Sequence, residues 1–139
     1  GYRIVLTAGG QHRTLCFATD TGTVTPQLRA AAQGTDFAIL EANHDENMLL
    51  AGPYPYPLKR RILSECGHLS NESCAAFCAE LAAMGCRKFL LAHLSEENNY
   101  PALALQCVGE ALREAGFSEG CEVAAAKPKE TVVFHRELL

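Results

Sequence analysis

Residues 70–93 read Ser-Asn-Glu-Ser-Cys-Ala-Ala-Phe-Cys-Ala-Glu-Leu-Ala-Ala-Met-Gly-Cys-Arg-Lys-Phe-Leu-Leu-Ala-His, which predicts a helix followed by a buried strand. Ser70 is a favourable N-cap, and Gly85 is a typical end of a helix. Between them, apolar side chains recur at helical spacing, at Cys74, Phe77, Cys78, Leu81 and Met84. Residues 88–92 then form a short apolar run, and His93 stands at its carboxyl end. Such a unit is typical of folds that alternate helices with strands of one sheet.

The elements on either side of this unit continue the alternation. Turn signals such as Ala8-Gly9-Gly10-Gln11, and helix starts such as Thr25-Pro26, separate the apolar runs. The remaining predicted elements are a β-hairpin over residues 2–7 and 13–19, a helix over 26–33, a strand over 36–41, a basic helix over 57–64, a helix over 101–116, and strands near 121–125 and 131–135. This order predicts a mixed α/β domain.

Composition and charge limit the classes of function. Of the 139 residues, 48% are hydrophobic and 20% charged, as in a soluble globular protein. No apolar run approaches the roughly 18 residues that a membrane-spanning helix needs. The cysteine content leads us to expect a cytoplasmic protein. The net charge of −4 gives no general electrostatic reason to bind nucleic acid. A nucleic-acid role would depend on local features such as Lys59, Arg60 and Arg61.

Seven cysteines without a CxxC pair predict free thiols and no disulfide framework. Several lie inside apolar runs, so we expect them to be buried in a protein of a reducing compartment. Cys74 and Cys78 could share one helix face and bind a metal ion, although small core residues are the more common interpretation of such a pair. The seven positions are Cys16, Cys66, Cys74, Cys78, Cys86, Cys107 and Cys121.

Four polar residues stand where predicted strands end or a helix begins: Asp20, Glu41, His68 and His93. The carboxyl ends of strands in α/β sheets commonly carry ligands and catalytic groups. Each residue alone has a simpler interpretation, since Asp20 is typical of a turn and His93 of a hydrogen-bonded core histidine. A buried Glu41 would need a partner, because an unpaired buried carboxylate costs free energy. Spacing alone does not show that the four meet in space.

The segments around these residues resemble metallo-β-lactamase-fold hydrolases, most closely the YycJ/WalJ-like group. They are Phe17-Ala18-Thr19-Asp20-Thr21-Gly22, Leu40-Glu41-Ala42-Asn43-His44-Asp45, Gly67-His68-Leu69-Ser70-Asn71-Glu72, Leu91-Ala92-His93-Leu94-Ser95 and Gly52-Pro53-Tyr54-Pro55-Tyr56-Pro57-Leu58-Lys59. Each is short, but their order along nearly the whole chain is specific. The resemblance implies an α/β fold in which residues 1–139 form the carboxy-terminal half of an αββα sandwich.

The resemblance also implies a role for each of the four residues. Asp20 matches the carboxylate that bridges two divalent metal ions, zinc or manganese, and His93 matches a histidine ligand of the second ion. His68 matches the histidine that protonates the leaving oxygen in the nuclease branches, and Glu41 matches the carboxylate that orients it. His44 and Asp45 lie on the same loop as Glu41 and are weaker candidates for lining the site.

One part of the family pattern is missing. The motif His-x-His-x-Asp-His does not occur, and the five histidines (His12, His44, His68, His93 and His135) are isolated from one another. Asp20 and His93 are too few to hold two metal ions, since a catalytic zinc site normally keeps three protein ligands. The resemblance therefore implies that the chain alone is inactive. It also implies a companion over its sheet, either the amino-terminal half of the fold or another copy of the chain.

With its companion, the chain is expected to be a metal-dependent phosphodiester hydrolase, a DNA exonuclease, with RNA or a small phosphodiester as alternative substrates. Another hydrolase of the same fold, a thioesterase or a lactonase, is the first rival, because fold alone does not decide function. The Glu41–His68 pair favours phosphodiester hydrolysis over that rival. The second rival is a non-catalytic assembly partner, which the missing histidine motif favours.

Overall fold

One five-stranded mixed sheet organises the computed structural model, which describes residues 1–134. Its strands, in their order across the sheet, are β1 (Tyr2–Ala8), β2 (Gln11–Ala18), β3 (Phe37–Glu41), β4 (Lys88–Ala92) and β5 (Glu122–Ala125). The β1–β2 hairpin is antiparallel, and β2, β3, β4 and β5 run parallel to one another. The predicted α/β fold class is confirmed.

Helices connect the parallel strands. They are α1 (Pro26–Ala31), α2 (Glu46–Ala51), α3 (Tyr56–Ile62), α4 (Asn71–Ala83) and α5 (Pro101–Glu114). Each crossover moves one strand further in the same direction, and such crossovers are nearly always right-handed. The helices α1, α4 and α5 therefore gather on one face of the sheet, where α4 packs against α5 and an ion pair between Arg29 and Glu80 joins α1 to α4. No described helix is both long enough and apolar enough to cross a membrane.

The hydrophobic core lies between this helical layer and the sheet. Alternate strand residues point to the same face. On the helical side Leu40, Phe89 and Leu91 are at most 1% exposed, and they form one cluster with Phe77 and Val108 of the helices.

The opposite face of the sheet is apolar and only partly covered. Tyr2 and Ile4 pair with Phe17 and Leu15, which puts these four side chains on one face. The same row continues across the sheet through Phe37, Ile39 and Leu90. Tyr2 is 72% exposed and Ile4 42%, and the β2, β3 and β4 members of the row are half-buried. This surface is called the open face below.

Most predicted elements are present, with three corrections. The prediction of a strand near 131–135 is wrong for residues 131–134, which form no strand. Residue 135 lies outside the described residues. There the Phe134 ring packs on Phe37, which belongs to a strand already paired on both sides. The helix α2 was not predicted, because six residues with only Leu49 buried show no helical periodicity. The cysteines are free, but Cys66 is exposed, and Cys107 and Cys121 are only partly buried.

Candidate metal centre

The topology brings the ends of three parallel strands together. Glu41 is the last residue of β3, His93 immediately follows β4, and Asp20 comes two residues after the end of β2. His68 reaches the same edge from the loop that precedes α4. These four residues, predicted from separate segments, offer ligand atoms that all lie within 4.8 Å of one another. Within residues 1–134 no other such group of three or more metal-ligating side chains occurs, and Cys74 and Cys78 are core residues.

Glu41 is the buried centre of the group. Its side chain has 0% exposure, and its Oε1 lies 2.8 Å from Nδ1 of His68 and also contacts Nδ1 of His93. Its Oε2 accepts backbone N–H groups from Thr21 at 3.1 Å and Leu69 at 3.3 Å. The carboxylate therefore has the partners that its burial requires.

Both imidazole rings are oriented by this carboxylate. An ionised carboxylate only accepts hydrogen bonds, so each ring directs an Nδ1–H towards Glu41 and keeps Nε2 on its other side. A metal-ligating histidine typically makes such a bond to a carboxylate with its second nitrogen. The two ring centroids are 5.1 Å apart, and the side chains of His68 and His93 are 32% and 45% exposed. The arrangement presents two fixed imidazole nitrogens to the outside.

Asp20 supplies an accessible carboxylate beside the rings. Its Oδ1 lies 3.8 Å from Nδ1 of His68 and 3.7 Å from Nδ1 of His93, and its side chain is 71% exposed. Asp20 and His93 both have left-handed backbones, with φ of 54° and 57°. Such conformations cost non-glycine residues roughly 1–3 kcal/mol and cluster at functional sites. Aspartate tolerates this conformation in turns, so the position of Asp20 beside two imidazole rings is what distinguishes it from an ordinary turn aspartate.

A neighbouring asparagine, which the sequence analysis missed, holds this edge together. Asn43 Nδ2 donates to the His93 carbonyl oxygen at 2.8 Å, and its backbone N–H donates to the Leu69 carbonyl at 2.9 Å. Its own carbonyl accepts from the Ser95 N–H at 2.7 Å. One residue thus joins the loops that carry His68 and His93. The available signal was a polar residue directly after a buried strand, which is a weak one.

His44 and Asp45 do not belong to the cluster. The Asp45 carboxylate caps α2 by accepting the Met48 N–H at 2.8 Å. His44 is 1% exposed, with Nδ1 placed 3.3 Å from Asn43 Oδ1 and with no described partner for Nε2. Burial lowers the pKa of the His44 imidazole, and His68 lowers it further, against an opposing effect of Glu46. His44 is therefore a buried residue behind the site.

The donor set fits divalent metal ions, but incompletely. Carboxylate oxygen and imidazole nitrogen are ligands for zinc and for harder ions such as manganese. Glu41 already accepts from two N–H groups and two rings, so Asp20, His68 and His93 are the side chains that remain available for direct ligation. These three are too few for two metal ions, since a single catalytic zinc ion normally keeps three protein ligands.

The fold and this cluster define a class of α/β proteins with a candidate metal site at the strand ends. Comparison with known sequences identifies the family. Residues 1–119 match the Beta-lactamase superfamily domain, and the chain belongs to this superfamily. It is 39% identical over 120 residues to the exodeoxyribonuclease YycJ of Bacillus anthracis, covering 85% of this chain and 46% of that protein. It is 36% identical over 110 residues to the exodeoxyribonuclease WalJ of Streptococcus pneumoniae serotype 2 (strain D39 / NCTC 7466), covering 79% of this chain and 41% of that protein.

These matches confirm the resemblance to the metallo-β-lactamase fold and to the YycJ/WalJ-like group. The chain spans less than half the length of the curated relatives that it matches.

Proposed function

We propose that this chain provides one half of the active site of a metal-dependent phosphodiester hydrolase that acts on DNA as an exonuclease. The observation that carries the proposal is the buried Glu41 carboxylate, which orients His68 and His93 beside the exposed Asp20. Both relatives described above are exodeoxyribonucleases by name, which is the support for DNA as the substrate class. RNA and small phosphodiesters are the alternative substrates.

Asp20 and His93 are assigned as metal ligands and His68 as the general acid. When bound, divalent metal ions supply a nucleophile near neutral pH and neutralise the charge that develops on a phosphate. His68 lies beside the ligands, is partly exposed, and carries its Nδ1 hydrogen towards Glu41. Its other nitrogen can therefore hold a proton for the leaving oxygen, while Glu41 stabilises the charged ring. Asn43 fixes the backbone of His93.

The open face indicates how the site is completed. We assign it to contact with the amino-terminal half of the same fold, with a second copy of this chain as the alternative. Contiguous exposed apolar surface of more than a few hundred Å² is rare on soluble monomers. The same companion would then supply the further metal ligands and cover the open face. Residues 1–139 alone would bind no pair of metal ions and would be inactive.

The assignment of roles is tested in the protein that carries the complete site, by metal analysis and by hydrolysis of end-labelled DNA. His68→Ala should reduce the turnover number about 10²–10⁴-fold with metal content nearly unchanged, since loss of general acid–base help has that size. Asp20→Ala should remove both metal and activity. Loss of metal in the His68 variant as complete as in the Asp20 variant would show that His68 is a ligand. A wild-type protein that binds metal but leaves DNA intact would refute the exonuclease proposal.

A further inference from the structure

The segment that includes α3 carries a local positive charge on an acidic chain. Lys59, Arg60 and Arg61 are consecutive, and no Asp or Glu occurs between Glu46 and Glu65, whereas the net charge of the chain is −4. The three cations have different environments. Lys59 Nζ donates to the carbonyl oxygens of Leu50 at 2.6 Å and Gly52 at 2.7 Å, so it caps the end of α2.

Arg60 and Arg61 remain available to a ligand. Both are exposed, and within the described part of the chain their guanidinium groups make no hydrogen bond or ion pair. The guanidinium of Arg60 lies over the ring of Tyr56, 5.9 Å from its centroid. Tyr56 is 72% exposed, and the prolines on either side of it restrict its backbone. The result is an exposed aromatic ring with a restricted backbone, beside two guanidinium groups that make no hydrogen bond or ion pair within residues 1–134.

The carboxyl end of α3 is held tightly against the metal centre. The His68 N–H donates to the Ile62 carbonyl at 3.0 Å, and a Cβ on Gly67 would lie 2.1 Å from the same oxygen. A Cβ on Gly22, two residues after Asp20, would lie 2.1 Å from the Ser64 carbonyl oxygen. The end of α3 is thus in contact with the loops of both Asp20 and His68. Arg60 and Arg61 are within one helical turn, about 5.4 Å of rise, of that end.

We propose that α3 guides a single strand of DNA to the metal centre, with Tyr56 stacking on a base and Arg60 and Arg61 binding backbone phosphates. This inference rests on the proposed function. Its support is charge complementarity and continuity with the site. Aromatic stacking within a positive surface is the common mode of single-strand binding, and a duplex would keep its bases stacked on one another. Arginine suits phosphate through paired N–H donors.

The test is fluorescence anisotropy with a labelled oligothymidylate of about 15 nucleotides, within the range of single-strand site sizes. It uses the protein with the complete site, in EDTA so that no strand is cut. Tyr56→Ala should weaken binding about tenfold, and Tyr56→Phe should restore it, because the ring is what stacks. The double variant Arg60→Ala/Arg61→Ala should weaken binding at least about tenfold. It should also reduce the salt dependence of log Kd by about 1.4, from about 0.7 for each phosphate contact.

Arg113→Ala is the matched control. Arg113 is an exposed arginine in the last turn of α5, at the other end of the strands, so its loss should change neither binding nor hydrolysis of bis(4-nitrophenyl) phosphate. The α3 variants should lose more DNA affinity than turnover of this small diester. Equal losses in both would show a structural effect and overturn the proposal, and so would affinities equal to those of the control variant.

Two further outcomes separate this proposal from the proposed function. A stronger effect of the α3 variants on oligouridylate than on oligothymidylate would assign the surface to RNA and overturn it. Binding that depends on α3 in a protein that hydrolyses neither DNA nor the diester would support the α3 surface and refute the exonuclease proposal.

Discussion

The two faces of the sheet differ in how their apolar side chains are covered. On the face beneath the helices, Phe89 and Leu91 have 0% exposure. On the open face Ile39 and Leu90 are half-buried, and Tyr2 is largely exposed. The same strands supply both faces, with similarly large apolar residues. The difference therefore comes from α1, α4 and α5, which pack on one face only. The polar edge of the metal centre lies where both faces end.

Leu91 provides the strongest test of the covered face. Leu91→Ala should lower the free energy of unfolding by about 2–5 kcal/mol, because the helical layer can close only part of the cavity. Urea unfolding followed by circular dichroism measures this in the protein with its complete site. A loss below about 1 kcal/mol, typical of exposed positions, would show that the helices cover this face poorly.

Leu90, the preceding residue on the same strand, tests the open face. In residues 1–139 alone, Leu90→Ala should cost less than about 1 kcal/mol, because its side chain is already partly hydrated. In the complete protein the same change should cost about 2–5 kcal/mol, since the proposed companion buries the side chain. Urea unfolding of both variants in both contexts gives the comparison. The same small cost in the two contexts would contradict a companion on this face.

The sequence predicted the fold where one local signal was sufficient. The apolar run at 88–92 and the cap at Ser70 correspond to Lys88–Ala92 and Asn71–Ala83 in the structure. The helix α2 was not predicted, because its six residues bury only Leu49 and therefore show no helical periodicity. The strand near 131–135 was predicted from apolar composition alone. The same composition also occurs in a segment without strand pairing that packs through one ring, as Phe134 does on Phe37.

The sequence was sufficient to predict which residues form the candidate site, but not which contacts they make with one another. Asp20, Glu41 and His93 follow from the rule that polar residues at strand ends meet at one edge of a parallel sheet. That Glu41 contacts both histidines, and that Asn43 holds His93, depends on loop conformations such as the left-handed His93. These conformations arise from tertiary hydrogen bonds across 27 to 52 residues of sequence, which no local pattern encodes.

Asn43 tests whether the polar edge is as firmly held as the covered face. Asn43→Ala removes the donor from the part-buried bond to the His93 carbonyl and should lower the free energy of unfolding by about 0.5–1.5 kcal/mol, the usual net contribution of one hydrogen bond. Asn47→Ala is the matched control, because Asn47 is exposed on α2. Thermal or urea unfolding of the two variants measures the difference. Equal stabilities would mean that the loops hold His93 without Asn43.

The smallest expected effect comes from His44, the buried residue behind the site, whose titration makes the stability of the protein depend on pH. Its pKa is lowered in the folded protein, mainly by burial, so the unfolded chain takes up the proton first as the pH falls through the ordinary value of 6.5. The free energy of unfolding should therefore decline below about pH 7, by at most about 1.4 kcal/mol per pH unit, until the pH reaches the lowered pKa. Above pH 7 both states are neutral at this residue, and its contribution is constant.

Urea unfolding between about pH 7.5 and 5.5 should show this decline in the wild type and a flatter profile in His44→Gln, whose amide does not titrate. His12→Gln, at an exposed position of β2, is the control for loss of one histidine. A profile equally steep in His44→Gln would assign the pH dependence to other groups.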